Sequence, residues 1–588
     1  DVNERIDHTL TTNLLTNAFL EYDIVPGLTF RSTIGLGLDF SKRNQYFSTI
    51  LPNRVATGQD GEANIISRNS RDILNENTIT YVKEFNEHSL KVLAGYTSQI
   101  TTFESSRSGA YGFVNDVVTF NNLALGSDPN QNAVSSNYEK RTFESILGRI
   151  NYSYKDKYLL TLVGRRDGSS VFEEGNKYAF FPSVGAAWRI GQESFMQGID
   201  YISNLKLRAS YGIVGEQGVP AYNSLSRFTP YVTFLNNQVS NAVLLENLAS
   251  SNLDWETTTQ TDIGLEVGFL NNRYSLELDY YNKRTKDLLL NRPIPGTAGE
   301  TRLENIGEIE NKGFEFTINS LNIDKPDFTW STNLTISANK NKVISIGDGA
   351  EWIDLASPGQ ATGPSIRIIP GYPAPAYLGA TYLGTYRTTA EIDADGVVGS
   401  VLGGPRYVDL DGNGAINQLD FVVHGDPNPD FYGGLRNTLT YKDFTLDFFF
   451  HGSYGNEILN AAYHLGYFGR DPRSNLLPIV KDRWTTSNQN SDIPRAGSSF
   501  GNYQQRSDVS YQDGSFLRLK NVTLTYDLDI PGMKRASVYL TGNNLLLFTK
   551  FTHGDPEQSN YGDGLAQGVA NGGYPYNSSF ALGFNLTL

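Results

Sequence analysis

No cysteine occurs in the 588 residues, which removes disulfides, thiolate metal sites and cysteine nucleophiles together. Long apolar runs are missing as well. Only 39% of residues are hydrophobic, the mean hydropathy is −0.35, and no stretch reaches the roughly 18 apolar residues of a membrane-spanning helix. A helical membrane protein is therefore excluded. A basic excess is also absent: 48 Lys and Arg stand against 63 Asp and Glu, a net charge of −15. Nucleic acid, whose phosphates need a basic surface, is not an expected partner. His8, His88, His424, His451, His464 and His553 show no metal-ligand spacing and no His-Glu-x-x-His run. Ser203-Asn204-Leu205-Lys206 matches Ser-x-x-Lys but runs straight into a strand and lacks the partner motifs. Gly35-Leu36-Gly37 lies inside strand-like sequence and opens no helix, so it is not a phosphate loop. The chain does not read as an enzyme. Asp1 to Leu20 is polar and strand-like, unlike a leader, so an exported protein would be seen here as an internal or processed piece.

What is abundant is aromatic residues and glycine: 34 Tyr, 32 Phe and 57 Gly. Aromatic girdles around a polar interior give this combination at modest average hydrophobicity. Alternation with a period of two recurs along the chain. Phe580, Leu582, Phe584, Leu586 and Leu588 oppose Ala581, Gly583, Asn585 and Thr587. Tyr274, Leu276, Leu278 and Tyr280 oppose Ser275, Glu277 and Asp279, and Phe444, Leu446, Phe448 and Phe450 oppose Thr445, Asp447 and His451. Each pattern describes a strand with oil on one side and water or small groups on the other. A soluble sandwich would alternate too, and connection lengths discriminate better. Short polar turns at Asn86-Glu87-His88, Lys155-Asp156-Lys157, Asn271-Asn272-Arg273 and Lys442-Asp443 are followed by long connections at about 213–258, 284–310, 452–514 and 549–578. Such sorting predicts an all-β transmembrane antiparallel β-barrel with short periplasmic turns and long extracellular loops. About 17 strands are expected here, of about 22 in the large plugged transporters.

Asp409 to Asp420 has the layout of an EF-hand-like calcium loop. Asp409, Asp411 and Asn413 supply oxygens at positions one, three and five, Gly414 the turn, Ala415 a carbonyl, and Asp420 the closing carboxylate. A structural Ca2+ is the cofactor this spacing suggests, against the plainer reading of an acidic, glycine-rich turn.

The same region carries a family resemblance. Tyr407 to Asn460, with Gly425-Asp426-Pro427-Asn428-Pro429-Asp430-Phe431-Tyr432-Gly433-Gly434 and Gly452-Ser453-Tyr454-Gly455-Asn456-Glu457, resembles a signature of the SusC-like TonB-dependent transporters of Bacteroidota, the class to which RagA belongs. Asp482-Arg483-Trp484-Thr485, Ile493-Pro494-Arg495-Ala496, Asp513 to Val522, Gly542-Asn543-Asn544-Leu545, Asp555-Pro556-Glu557 and Tyr574-Pro575-Tyr576 follow in the family's order. Leu205 to Gly212 and Glu308 to Glu315 match upstream, so the resemblance covers about 140–588 well and 1–140 loosely.

That resemblance implies residues 1–588 are the C-terminal part of a 22-stranded barrel, with the plug domain, the TonB-contacting segment and the first strands lying outside this chain. It also implies a SusD-like surface lipoprotein as lid, energy from TonB-ExbB-ExbD through the missing N-terminal part, outer-membrane lipid around the barrel, dimers of SusC–SusD pairs, and oligosaccharide or peptide as cargo. Leu588 departs from the family's usual aromatic end. Two other functions remain open on sequence grounds: a non-transporting structural subunit of a larger outer-membrane complex, and a soluble β carbohydrate-binding protein. Trp255, Trp352 and Trp484 fall in expected loops, where a ring can stack on a sugar, although loop packing explains each as well. Trp188 and Trp330 read as girdle residues. Glu277, Asp279 and Asp447 are expected to face trapped water or a plug.

Overall fold

The computed structural model describes residues 4–51, 60–128, 133–235, 238–247, 249–250, 253–293, 301–347, 350–356, 366–468, 475–497, 506–552, 554–558, 567–574 and 576–587. Leu588, Pro575 and His553 lie outside them. Seventeen strands belong to one large sheet, matching the expected number. They are β1 (Arg5–Val25), β2 (Leu28–Phe47), β3 (Gly61–Phe85), β4 (His88–Phe113), β5 (Ala133–Tyr154) and β6 (Tyr158–Ser169). Next come β7 (Tyr178–Trp188), β8 (Ile202–Glu216), β9 (Glu256–Phe269), β10 (Tyr274–Pro293), β11 (Thr301–Lys325) and β12 (Phe328–Ser345). The set ends with β13 (Phe431–Tyr441), β14 (Phe444–Tyr454), β15 (Phe516–Leu528), β16 (Arg535–Thr549) and β17 (Ser579–Thr587).

The chain divides into two compact units. In the first, composed of 1–186, 211–258 and 289–305, β1 to β6 pair antiparallel in sequence order. Two-residue connections join β1 to β2 and β3 to β4, where Gly27 and Asn86 take the positive φ that such turns require. β1 to β5 are 20 to 26 residues long, about twice the 9–11 residues that cross a bilayer. Their sequence therefore continues as strand where alternation is no longer needed. The 284–310 stretch shows the same effect: β10 runs to Pro293 and β11 starts at Thr301, so most of that expected loop is strand.

The second unit, 187–210, 259–288 and 306–588, contains β12 to β17 paired in order. Their register aligns one row of apolar side chains across six strands: Trp330, Leu439, Leu446, Leu524, Leu540 and Leu582. One position along, the row reads Ser331, Thr438, Asp447, Thr523, Thr541 and Ala581. A slip of one residue between any pair would mix the rows, so the pattern pins the register. Aromatic pairs mark both ends of this face, Phe444 with Tyr526 at the short-turn end and Phe431 with Tyr454 at the long-loop end.

Three of the long connections are folded. Segments 353–356, 366–368, 376–379 and 422–425 make a four-stranded sheet, and 511–513, 457–460 and 569–570 make a three-stranded one. Ile366, Tyr377, Leu459 and Val569 form one buried cluster drawn from all three connections, and the Tyr377 and Tyr511 rings stack at 5.4 Å. Pro370-Gly371 and Asp426-Pro427 are thus part of an ordered loop layer.

Close backbone approach makes a local demand on glycine in β14. A Cβ on Gly452 would lie 2.6 Å from the Phe516 carbonyl oxygen, a main-chain atom that cannot swing aside. Gly452→Ala is expected to cost about 1–3 kcal/mol through strand displacement, read as a lower temperature for the loss of the compact, heat-modifiable band on a gel.

Candidate functional site

Charged residues on the polar face of the second unit occur in linked sets. Arg208 on β8 is the hub of one. Its guanidinium lies 2.5 Å from Glu277, 2.8 Å from Asp279 and 3.3 Å from Glu266, while Lys206 also reaches Glu266 at 2.9 Å. Gly264 lies beneath, since a Cβ there would sit 2.3 Å from Asp279 Oδ1. Asp447 is held by Arg436 at 2.7 Å and by the Thr438 hydroxyl at 2.8 Å. Glu277 and Asp279 on β10 therefore pair with Arg208 across the intervening β9, and Asp447 pairs with Arg436 on the adjacent strand.

A third set ties the loop layer to the strands. Arg518 on β15 donates to Asp555 at 2.6 Å and lies 2.5 Å from Glu557, with Arg518 and Asp555 each 3% exposed. His451 on β14 approaches the other Glu557 oxygen at 3.5 Å. Tyr576 covers both cations of β15, at 5.5 Å from Arg518 and 4.9 Å from Lys520. Burial raises the Glu557 carboxyl, but His451, Arg518 and Lys520 more than offset it and hold the group below the usual carboxylate range. Removing one partner of such a buried pair costs on the order of 3–5 kcal/mol, so this set is a latch. Asp555-Pro556-Glu557 was visible in the sequence; its partners were not, because they lie on strands far along the chain.

The tryptophans separate clearly. Trp255 is buried against Phe172 and Phe181, and Trp484 is buried under the Gly403 backbone, where a Cβ would meet its ring at 2.3 Å. Neither offers a face to a sugar. Trp352 is 39% exposed, with the Arg367 guanidinium over its ring at 4.5 Å. Of the girdle candidates, Trp330 faces outward on β12 and donates to Asn437, while Trp188 donates to Glu193.

In the acidic loop, oxygens of Asp409, Asp411 and Asp420 lie within 4.8 Å of one another. Asp409 accepts the N–H groups of Gly412 and Gly414, and Asp420, fully buried, accepts those of Leu410 and Asn417. These donors, Gly414 first, hold the Asp409 carboxyl below its usual range. Asn413 Oδ1 accepts from Ala415 N–H, and the Ala415 carbonyl accepts from the Asn417 amide. Among the described residues no Lys or Arg pairs with the three carboxylates, so the donor set is all oxygen and anionic, which suits a hard cation.

The family model described as TonB dependent receptor-like, beta-barrel matches residues 3–545. The chain belongs to this family. "TonB-dependent receptor P26" of Formosa agariphila is 41% identical over 99% of the chain and 60% of its own length. "TonB-dependent receptor SusC" of Bacteroides thetaiotaomicron is 29% identical over 76% of the chain and 44% of its own length. The structure titled "Structure of the RagAB peptide transporter" superposes with a TM-score of 0.86 at 22% identity, covering the whole chain and 63% of its own. The chain thus spans 60% and 44% of the lengths of these two curated relatives. TonB-dependent receptor barrels are outer-membrane proteins and not enzymes, so the row from Trp330 to Leu582 faces lipid, and the soluble reading falls away.

Glu457, the last residue of the Gly452–Glu457 segment, gives no sign in the sequence of what surrounds it in the loop layer. Burial, then the charges of Asp426 and Asp513, push the Glu457 carboxyl above its ordinary range, and its Oε2 is buried without a hydrogen-bond partner. A carboxyl raised in the folded state costs stability once the pH exceeds its unfolded value. Glu457→Gln is therefore expected to raise the thermal midpoint at about pH 7.5, with the gain vanishing near pH 4, where both states bind the proton.

Proposed function

We propose that the intact protein imports an oligosaccharide or peptide across the outer membrane, with a SusD-like lipoprotein as lid and TonB as the energy source. Family membership supports the TonB-linked part, and the likeness to SusC and to the RagAB peptide transporter supports the lid and the cargo class. Residues outside this chain supply the plug, the TonB-contacting segment and further strands.

The observation that carries the lid is the hairpin Arg227–Leu235 with Gln238–Asn247, within the β8–β9 connection of the first unit. One face collects Phe228, Pro230, Val232, Phe234, Val239 and Val243, and Phe228, Val232, Phe234, Val239 and Val243 are more than half exposed. An isolated two-stranded ribbon is marginal in water, and an exposed apolar patch of this kind marks a contact with another protein. Phe234→Asp is expected to cut co-purification of the surface lipoprotein by tenfold or so while leaving the barrel heat-modifiable. Growth of the variant on a panel of glycans and peptides should fail on the same compounds as a deletion strain; unchanged capture and growth would sink the reading.

The acidic loop is read as a structural Ca2+ site, with Asp409, Asp411 and Asp420 as carboxylate ligands and Asn413 and Ala415 as neutral oxygen donors. The mutual repulsion of three carboxylates within 4.8 Å supports it. Calcium at a hundredfold excess over its dissociation constant is expected to stabilise the loop layer by about 2.7 kcal/mol. A calorimetric melt with Ca2+ or chelator should show the shift in the native chain and lose it in Asp411→Asn; equal melts would leave only an acidic turn.

A further inference from the structure

The lipid-facing residues of β11 and β12 run toward the long-loop end in matched pairs: Ile318 opposite Leu334, Phe316 opposite Ile336 and Phe314 opposite Ala338. Phe314 packs on Tyr280 of β10 at 5.0 Å, and Phe431 of β13 stacks on Tyr454 of β14 at 5.2 Å. The two ring pairs share a level, since Ser337, beside Ala338 in the chain, is aligned with Tyr432, beside Phe431. They form the aromatic girdle of the long-loop side, where hydrocarbon gives way to headgroups.

Charge appears one step beyond the girdle on the same face. Lys312 lies directly opposite Lys340, and Glu310 directly opposite Lys342. Like charges placed directly opposite on antiparallel strands repel, so the two lysines are a cost to the sheet. Glu310 reaches Lys312 at 3.6 Å, whereas Lys340 and Lys342, both exposed, have no ion-pair partner among the described residues. The neighbouring acids are engaged elsewhere. Asp430 is turned to β14, where a Cβ on Gly455 would lie 2.5 Å from its Oδ2. On β10, Arg284 donates to Glu308, Lys286 acts on the same carboxylate, and Asp287 follows Lys286 in the chain. The opposite face of β11 and β12 closes on itself: Asn339 and Asn341 donate to Asn311, Tyr281 donates to Asn339, and Asn341 accepts the Ala374 N–H. Only the outward face leaves three lysines against one carboxylate.

We propose that Lys312, Lys340 and Lys342 bind the phosphomonoester headgroup of an outer-leaflet lipid whose acyl chains lie along Phe314 and Ile336. A phosphomonoester carries about −1.5 to −2 charges at neutral pH, which matches the two lysine charges that Glu310 leaves over. A phosphodiester headgroup supplies one charge and a zwitterionic one none in net, so the patch selects among membrane lipids. An anion between Lys312 and Lys340 also removes their repulsion. The source is a lipid because Phe314 and Ile336, 56% and 38% exposed on the same face, offer hydrocarbon contact directly below the lysines.

The test uses the full protein extracted in mild detergent, stripped of lipid and titrated with phosphatidic acid, phosphatidylglycerol or phosphatidylethanolamine of matched chains, with occupancy read by native mass spectrometry. The native protein should retain one phosphatidic acid with about fivefold preference over phosphatidylglycerol. Lys312→Ala and Lys340→Ala should each lower phosphatidic acid retention about fivefold, the contribution of one lysine near an anionic headgroup, and the double variant should show no preference. Glu310→Gln, which frees Lys312, should raise retention. Lys550→Ala, which removes a lysine that is 87% exposed outside the patch, should change nothing, and heat-modifiability on a gel verifies that each variant is folded. Equal retention of the three lipids by the native protein, or an unchanged preference in the double variant, would overturn the site. No gain in Glu310→Gln would overturn the charge balance on which the headgroup assignment rests. Displacement of the lipid by an equal concentration of glycerol 3-phosphate would overturn the lipid as ligand, since the hydrocarbon would then add nothing.

Discussion

Everything in the second unit depends on one constraint, the locked alternation that puts Trp330, Leu439, Leu446, Leu524, Leu540 and Leu582 in one row and Ser331, Thr438, Asp447, Thr523, Thr541 and Ala581 in the next. In lipid no water is available to rescue a misplaced polar group. The register is thus fixed by the opposing solvents on its two faces as much as by its hydrogen bonds. A displaced strand would carry Asp447 toward hydrocarbon and Leu446 toward the polar side at once.

The polar side pays for that separation with charge pairing. Carboxylates that cannot be left alone collect around guanidinium groups, with Arg208 taking three and Arg518 taking two. Arginine suits this role because its planar fork presents several donors and it stays charged. The difference between the two sets is their reach. Arg208 joins strands to strands, whereas Arg518 joins a strand to a loop, so the second set converts the rigidity of the sheet into a fixed position for the loop layer.

Strand number and the existence of short turns were legible because a period of two survives any tertiary context on a two-faced sheet. Strand ends were not. Past the lipid band alternation loses its cause, Leu289 and Leu303 pack on the cluster around Trp255 instead, and the 284–310 stretch reads as loop although it is mostly strand. Partners were equally hidden: Glu277 and Asp279 meet Arg208 only once the strands fold together. Trp255 and Trp484 looked available because a loop position gives no sign of what will pack on it, whereas the gathering of Asp409, Asp411 and Asp420 was legible because those residues are close in sequence.

The loop layer itself follows from how its pieces are shared. The cluster of Ile366, Tyr377, Leu459 and Val569 draws on three separate connections, with Leu459 aligned parallel to Val569 and the Tyr377 hydroxyl donating to the Gln567 carbonyl at 2.7 Å. No one of the three connections can move independently without exposing that cluster or breaking the Tyr377–Tyr511 stack. The layer is also held at the Arg518–Asp555 pair, where displacement leaves a charge buried and unpaired. Opening this layer is therefore a concerted event with a threshold, and small forces on any single loop are carried by all three.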